Sequence, residues 1–246
     1  MARIRLNNVG VRFRVDAENG NSLKSTALHW FMRRRVKPGV IDALQSVSID
    51  IRSGERVGII GANGAGKSTL LKVMARIYRP HAGEALIEGH VCPLFEFVTG
   101  FEMDASGWDN IRTRALLLGM SAAEIDRKID EIAAFTRLGE FLDYPVRCYS
   151  SGMLLRLAFA TSTAVDPEIL LLDEVVAAGD AAFMEQAKKR MDELLLRANI
   201  VVFVSHSLSL IESFCERAIW LHRGQVMLDG PCHEAVRAYE RHALSG

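Results

Sequence analysis

Residues Gly61-Ala-Asn-Gly64-Ala-Gly66-Lys67-Ser68-Thr69 gather three glycines, a cation and two hydroxyls into nine positions. The spacing is G-x-x-x-x-G-K-[ST], a pattern made for holding phosphate. Glycines let the backbone curl until successive amides point inward, and a helix begun at the end of the loop adds the partial positive charge of its N-terminus. In this reading Gly61, Asn63, Gly64, Ala65 and Gly66 form the nest and Thr69 closes it in the first helical turn. Lys67 reaches the β and γ phosphates, and Ser68 offers its hydroxyl to Mg²⁺. The flanks agree: a strand-like run, Arg56 to Ile60, leads in, and a helical pattern, Ser68 to Arg76, leads out.

A Mg-nucleotide site also needs a carboxylate at the end of a neighbouring buried strand, and Ile169-Leu-Leu-Leu172-Asp173-Glu174 supplies two. Asp173 is the metal-side acid. Glu174, one residue further, is placed to orient and deprotonate an attacking water and is the expected general base. An apolar strand ending in acids is weak evidence alone; its pairing with the phosphate loop gives it meaning.

These residues need a scaffold, and the chain predicts one. Strand-like runs occur at 4–9, 47–51, 56–60, 169–173, 200–205, 218–222 and 225–229, several of them continuously apolar, as in parallel strands buried on both faces. Helical patterns occupy 68–76, 122–135, 152–165 and 182–197, which makes the order α/β. The helix from Ala122 opens with a capping box, Ser121 and Glu124, and sets Ile125, Ile129 and Ile132 on one face. Residues 95 to 165 read as a helical lobe inserted into the sheet. At 246 residues, 49% apolar and 24% charged, the chain excludes disorder and fibre. Thirty Lys plus Arg balance thirty Asp plus Glu, so nothing in the net charge calls for nucleic acid or an anionic membrane over a broad surface. Cys92, Cys148, Cys215 and Cys232 are too few and too scattered for a disulfide framework or a metal pair. With no apolar leader at the N-terminus and no apolar run of spanning length, a cytosolic protein is expected.

Two further segments make the reading specific. Tyr149-Ser150-Ser151-Gly152-Met153 opens a helix, and Ser205-His206-Ser207 ends the strand from Ile200. With the phosphate loop they resemble the ATP-binding cassette family. The resemblance implies a P-loop NTPase core with a mostly parallel sheet, an antiparallel β edge and an inserted helical lobe. It implies ATP and Mg²⁺ as cofactors, and a homodimer in which Ser150, Ser151 and Gly152 of one chain complete the nucleotide site of the other. In the family, His206's counterpart contacts the γ phosphate and Asp180's links the two sites. Phe13 stands where a family aromatic stacks on adenine, although a strand phenylalanine is equally a core residue. Ser151 and Met153 depart from the usual glycine and glutamine. No glutamine stands where the loop between the lobes carries one: Leu94-Phe-Glu96-Phe fills the region, so Glu96 takes its place as metal-sensing residue or the loop is mainly a docking face.

A narrower resemblance, to cassettes that export bacterial surface polysaccharides such as O-antigen and teichoic acid, rests on four features. They are Tyr149 to Phe159, Asp173 to Phe183, Gly100-Phe101 with Gly107-Trp-Asp-Asn110, and a long insertion before Val40. It implies an ATPase subunit at the cytoplasmic face of the inner membrane, beneath a separate polytopic channel subunit, driving a lipid-linked polysaccharide. The insertion, about 16 to 40, carries Trp30 to Lys37, which reads either as an amphipathic basic segment meeting lipid head groups or as a solvated loop. Only about sixteen residues follow Gly230, so a single domain without a C-terminal carbohydrate-binding fold is expected. Other classes remain: a soluble cassette ATPase, another transporter class, or a small-molecule kinase. The neutral charge and the lack of a coiled-coil insertion disfavour a nucleic-acid role, and the signature disfavours a kinase, which needs an acceptor pocket.

Overall fold

The computed structural model describes residues 2–15, 39–95, 100–173 and 181–245. Among them, strands β1 (Arg3–Val15), β2 (Gly39–Arg52) and β4 (Ala82–Glu88) form a three-stranded antiparallel sheet in the order β2-β1-β4. A six-stranded sheet follows the order β5-β6-β7-β3-β8-β9, from β3 (Arg56–Ile60), β5 (Val91–Leu94), β6 (Ile169–Asp173), β7 (Ile200–Val204), β8 (Arg217–His222) and β9 (Gln225–Pro231). All its pairings are parallel except β8 with β9. The helices are α1 (Lys67–Met74), α2 (Gly107–Leu117), α3 (Ala122–Thr136), α4 (Ser151–Ser162), α5 (Ala181–Arg197), α6 (Leu208–Phe214) and α7 (Cys232–Ser245). Two 3-10 turns, Gly139–Asp143 and Val146–Cys148, join α3 to α4.

The unbroken apolar runs have a simple cause. Successive strand residues point to opposite faces, and both faces of the larger sheet are covered. Val57, Ile59, Leu171, Val202 and Val204 join one core with the antiparallel sheet and with Leu70, Leu71, Val73 and Met74 of α1. Ile60, Leu170, Leu172, Val201 and Phe203 join the other core with helices of the lobe, α5 and α7. The expected α/β fold with an antiparallel edge and an inserted helical lobe is what forms.

The boundaries shift in places. β1 runs on from Val9 to Val15 and pairs Arg14 with Val40 and Val15 with Gly39, so the first residues after the insertion are already strand. The insertion's core, residues 16–38, with Trp30 and Arg33 to Arg35, lies outside the described residues. α1 stops at Met74 rather than Arg76, because Arg76 takes a positive φ of 60° that no helix continues through. α4 ends at Ser162 rather than Val165. The capping box Ser121–Glu124 is present as expected, and Arg137 at φ 53° ends that helix.

Candidate functional site

The parallel strands β3, β6 and β7 lie side by side, and each releases its functional residues beyond its C-terminal end, where open α/β sheets place ligands. β3 leads into the phosphate loop. Gly66, at φ 106°, is the residue before α1, and a Cβ there would stand 2.7 Å from the Ala43 carbonyl oxygen. Gly61 is packed as tightly, with the Leu221 carbonyl oxygen 2.3 Å from where its Cβ would be. Side chains are excluded at both, so the loop's amides stay accessible. Asn63 and Gly64 are exposed and Ala65 is buried beneath them.

The turn between β8 and β9 clamps the loop from behind. The Gly224 amide donates to the Ala65 carbonyl at 2.9 Å, and the Gly224 carbonyl accepts from the Gln45 amide at 2.8 Å. The Gln45 side chain adds a bond to the Arg223 carbonyl at 3.3 Å and accepts one from Gln225 at 3.2 Å. The loop is therefore fixed by backbone far away in sequence, a feature the sequence reading missed; a glycine in a two-strand turn was its only trace.

Lys67 is buried, and its ammonium donates to the Gly61 and Ala62 carbonyls at 2.7 and 3.0 Å, which holds its charge at the mouth of the loop. Ser68, one residue on, donates its hydroxyl to Asp173 Oδ2 at 3.1 Å. A hydroxyl and a carboxylate from different elements converging beside a phosphate nest make a hard-oxygen donor set, and they fit Mg²⁺ carried by nucleotide phosphates. Thr69 follows in the same helical turn, half-buried. His206 is exposed, two residues past β7, on a turn where the Ser207 amide donates to Ser205 Oγ at 3.1 Å. β6 and β7 are paired to the end, Asp173 opposite Val204, so His206 leaves from the same sheet edge as Asp173.

Ser150 is the N-cap of α4, its hydroxyl accepting from the Met153 amide at 3.3 Å. Its helix-cap use is thus real, and it leaves the serine and Ser151 exposed at the positive end of the helix dipole. Around Gly152 there is open space: a Cβ would meet nothing closer than Ser150 Oγ at 4.0 Å. Its own chain gives no steric reason for glycine there. Phe13 is half-buried and meets Tyr78 edge-on, ring centroids 5.4 Å apart, at the rim of the core shared with α1. Glu96, Glu174 and Asp180 lie outside the described residues. Three cysteines are buried, and burial pushes the Cys92 and Cys215 thiols up to about 12, which suits inert packing. No helix among the described residues is long and apolar enough to cross a membrane.

The sequence profile of the ABC transporter family matches residues 44–177, from within β2 to just past Asp173. Among curated proteins, an O-antigen export system ATP-binding protein of Myxococcus xanthus is 42% identical over 91% of this chain and 52% of its own length. One of Yersinia enterocolitica is 49% identical over 76% of this chain and 78% of its length. A teichoic acids export ATP-binding protein of Listeria monocytogenes is 38% identical over 85% and 62% respectively. The chain thus spans about half the length of the Myxococcus relative. A solved dimeric ATP-binding cassette in a post-hydrolysis state with ADP and Pi superposes with a TM-score of 0.66 at 23% identity, covering 93% of this chain and 98% of the other. At that identity the likeness is one of fold. The phosphate loop with its Ser68–Asp173 pair, the capped signature helix and these matches together make the chain a member of the ABC transporter family.

Proposed function

We propose that this chain is the ATP-hydrolysing subunit of an exporter that drives a lipid-linked, O-antigen-like polysaccharide across the inner membrane. It would work from the cytoplasmic face as a homodimer beneath a separate polytopic channel subunit. The observation that carries the ATPase part is the Ser68 hydroxyl on Asp173 at 3.1 Å beside a glycine loop whose tight points exclude side chains. The export part is supported by the names of the relatives above.

In this reading the loop amides and Lys67 hold the phosphates, and Ser68 with Asp173 hold Mg²⁺. The metal, when bound, neutralises charge on the β and γ phosphates. Glu174 accepts the proton of the attacking water, and His206 donates a hydrogen bond toward the γ phosphate. Phe13 offers a ring to adenine, Asp180 joins the two sites, and Glu96 stands in for the metal-sensing glutamine. Ser150, Ser151 and Gly152 face the partner's nucleotide with a hydroxyl and free helix amides. The roughly 95–165 lobe and the sheet domain form one nucleotide-binding domain.

Purification of the tagged chain from detergent-solubilised membranes tests the assignment. One polytopic protein should co-purify and should change the ATPase rate. Recovery with ribosomes or nucleic acid instead would overturn it.

A further inference from the structure

The segment Gly107-Trp108-Asp109-Asn110 has no assigned role at the nucleotide site, yet its residues are tied to the approach to the signature serine. Asn110 is a fully buried polar side chain, 1% exposed. Its Oδ1 accepts from the Glu102 amide at 2.8 Å, and its Nδ2 donates to the Glu102 and Ser106 carbonyls, each at 2.9 Å, and to the Ala105 carbonyl at 3.3 Å. The amide can sit only this way round, since a flip would set NH₂ against N–H and oxygen against carbonyls. One side chain thereby shapes the whole loop from Glu102 to Ser106.

That loop in turn holds the turn before the signature. The Val146 amide donates to the Ala105 carbonyl at 3.0 Å and the Arg147 amide to the Met103 carbonyl at 2.9 Å, while Arg147 pairs with Asp104. The other three residues of the segment work alongside. Asp109 closes a capping box with Ser106. Trp108 Nε1 donates to Asp143 Oδ1 at 3.0 Å. Gly107 leaves room for Tyr149, whose Oη would lie 2.4 Å from a Cβ there. Tyr149, the residue before Ser150, donates its hydroxyl to the Phe141 carbonyl at 2.7 Å. The chain enters α4 through a short path pinned at Val146, Arg147 and Tyr149.

We infer that Asn110 is a positioning residue for the signature motif: it fixes, through the 102–106 loop and the Val146–Tyr149 turn, where Ser150 and Gly152 meet the nucleotide of a second copy of this chain. The inference rests on the composite-site reading proposed above.

The test uses the full chain with Glu174→Gln as the parent, which should trap the ATP-bound dimer. Asn110→Asp keeps the shape but turns a donor into an acceptor facing three carbonyls, a conflict expected to raise the ATP concentration needed for dimerisation by roughly tenfold or more. ATP binding by the monomer should stay within about twofold, because Lys67, Ser68 and Asp173 are untouched. Amide exchange at Val146 and Arg147 should quicken while exchange in α1 does not. Should Asn110→Asp fail to fold, Tyr149→Phe, which loses one hydroxyl, decides the matter with an expected loss of about threefold in dimerisation. If the parent stays monomeric with ATP, the composite-site reading fails and this inference with it. If the parent dimerises and the variants do so at the same ATP concentration, or if monomer binding falls in step with dimerisation, the inference alone is overturned.

Discussion

Gly224 lies 159 residues from Ala65 and 179 from Gln45 in sequence, yet it is the residue through which the β8–β9 turn grips the phosphate loop. Gly224→Ala tests that grip. Its φ of 78° is costly for any residue with a Cβ, about 1–2 kcal/mol. The new carbon would stand 2.7 Å from the Ala43 carbonyl oxygen and 3.0 Å from its carbon, both backbone atoms that have no rotamer to yield. Such overlap adds about 1–3 kcal/mol. The turn relieves it by withdrawing from β2, which stretches the bond from the Gly224 amide to the Ala65 carbonyl. Gly54→Ala is the control: its φ is 94°, but nothing lies within 4 Å of its Cβ, so it carries the conformational cost alone. Both variants should melt lower, Gly54→Ala by about 2–8 °C and Gly224→Ala by more. Only Gly224→Ala should weaken ATP, by about tenfold for each 1.4 kcal/mol of strain that reaches the loop. Titration with a fluorescent ATP analogue and thermal melts without nucleotide read the two effects separately. Equal ATP affinities and equal melting temperatures in the two variants would refute the clamp.

Lys67→Ala should weaken ATP binding itself, measured by the same titration, since it removes a charge used in ground and transition states alike. Glu174→Gln should leave binding intact and slow hydrolysis by roughly 10²- to 10⁴-fold in a single-turnover assay. Gly152→Ala should change monomer stability little or raise it by up to about 1 kcal/mol, since alanine suits a helix better and its Cβ has space, yet ATP-driven dimerisation should fall in light scattering. The Arg3 guanidinium, bonded to both Asp50 oxygens at 2.9 and 2.8 Å, holds that carboxyl down to about 2. A lowered pKa stabilises the fold above the unfolded value and is lost as pH falls toward the folded one. Arg3→Ala should therefore lower the urea midpoint near neutral pH, and the difference from the parent should fade as pH falls through about 2; the pair is a third exposed, which keeps the effect small.

What the sequence displayed and what it hid follow one physical division. The phosphate loop was legible because strand, turn and helix are consecutive and each carries its own signal. Asp173 was legible because β6 is buried on both faces and reads as an unbroken apolar run. β5 escaped notice because it is four residues long with Pro93 in it, at the sheet's edge, and β4 because most of it is exposed. α2 carries few buried residues, and one of them is Asn110, so no apolar stripe marks it. Its Ser106–Asp109 capping box was a trace the sequence reading missed, since Asp at that position is a weaker signal than the Glu of Ser121–Glu124. Asn110 and Gly224 were hidden because their roles are backbone hydrogen bonds, whose partners only the fold brings near.

The same division separates the two halves of the proposed site. Lys67, Ser68, Asp173 and His206 are carried by elements leaving neighbouring parallel strands, so the sheet's register sets their spacing. Ser150 and Gly152 are carried by α4, placed by the brace around Asn110 and by lobe packing. Perturbing the sheet side should change how one chain holds its nucleotide; perturbing the brace should change only what a second chain can add. Gly152 gives the clearest sign of that second role, because a glycine with space around it, beside a cap that already satisfies its helix, has no use that its own chain explains.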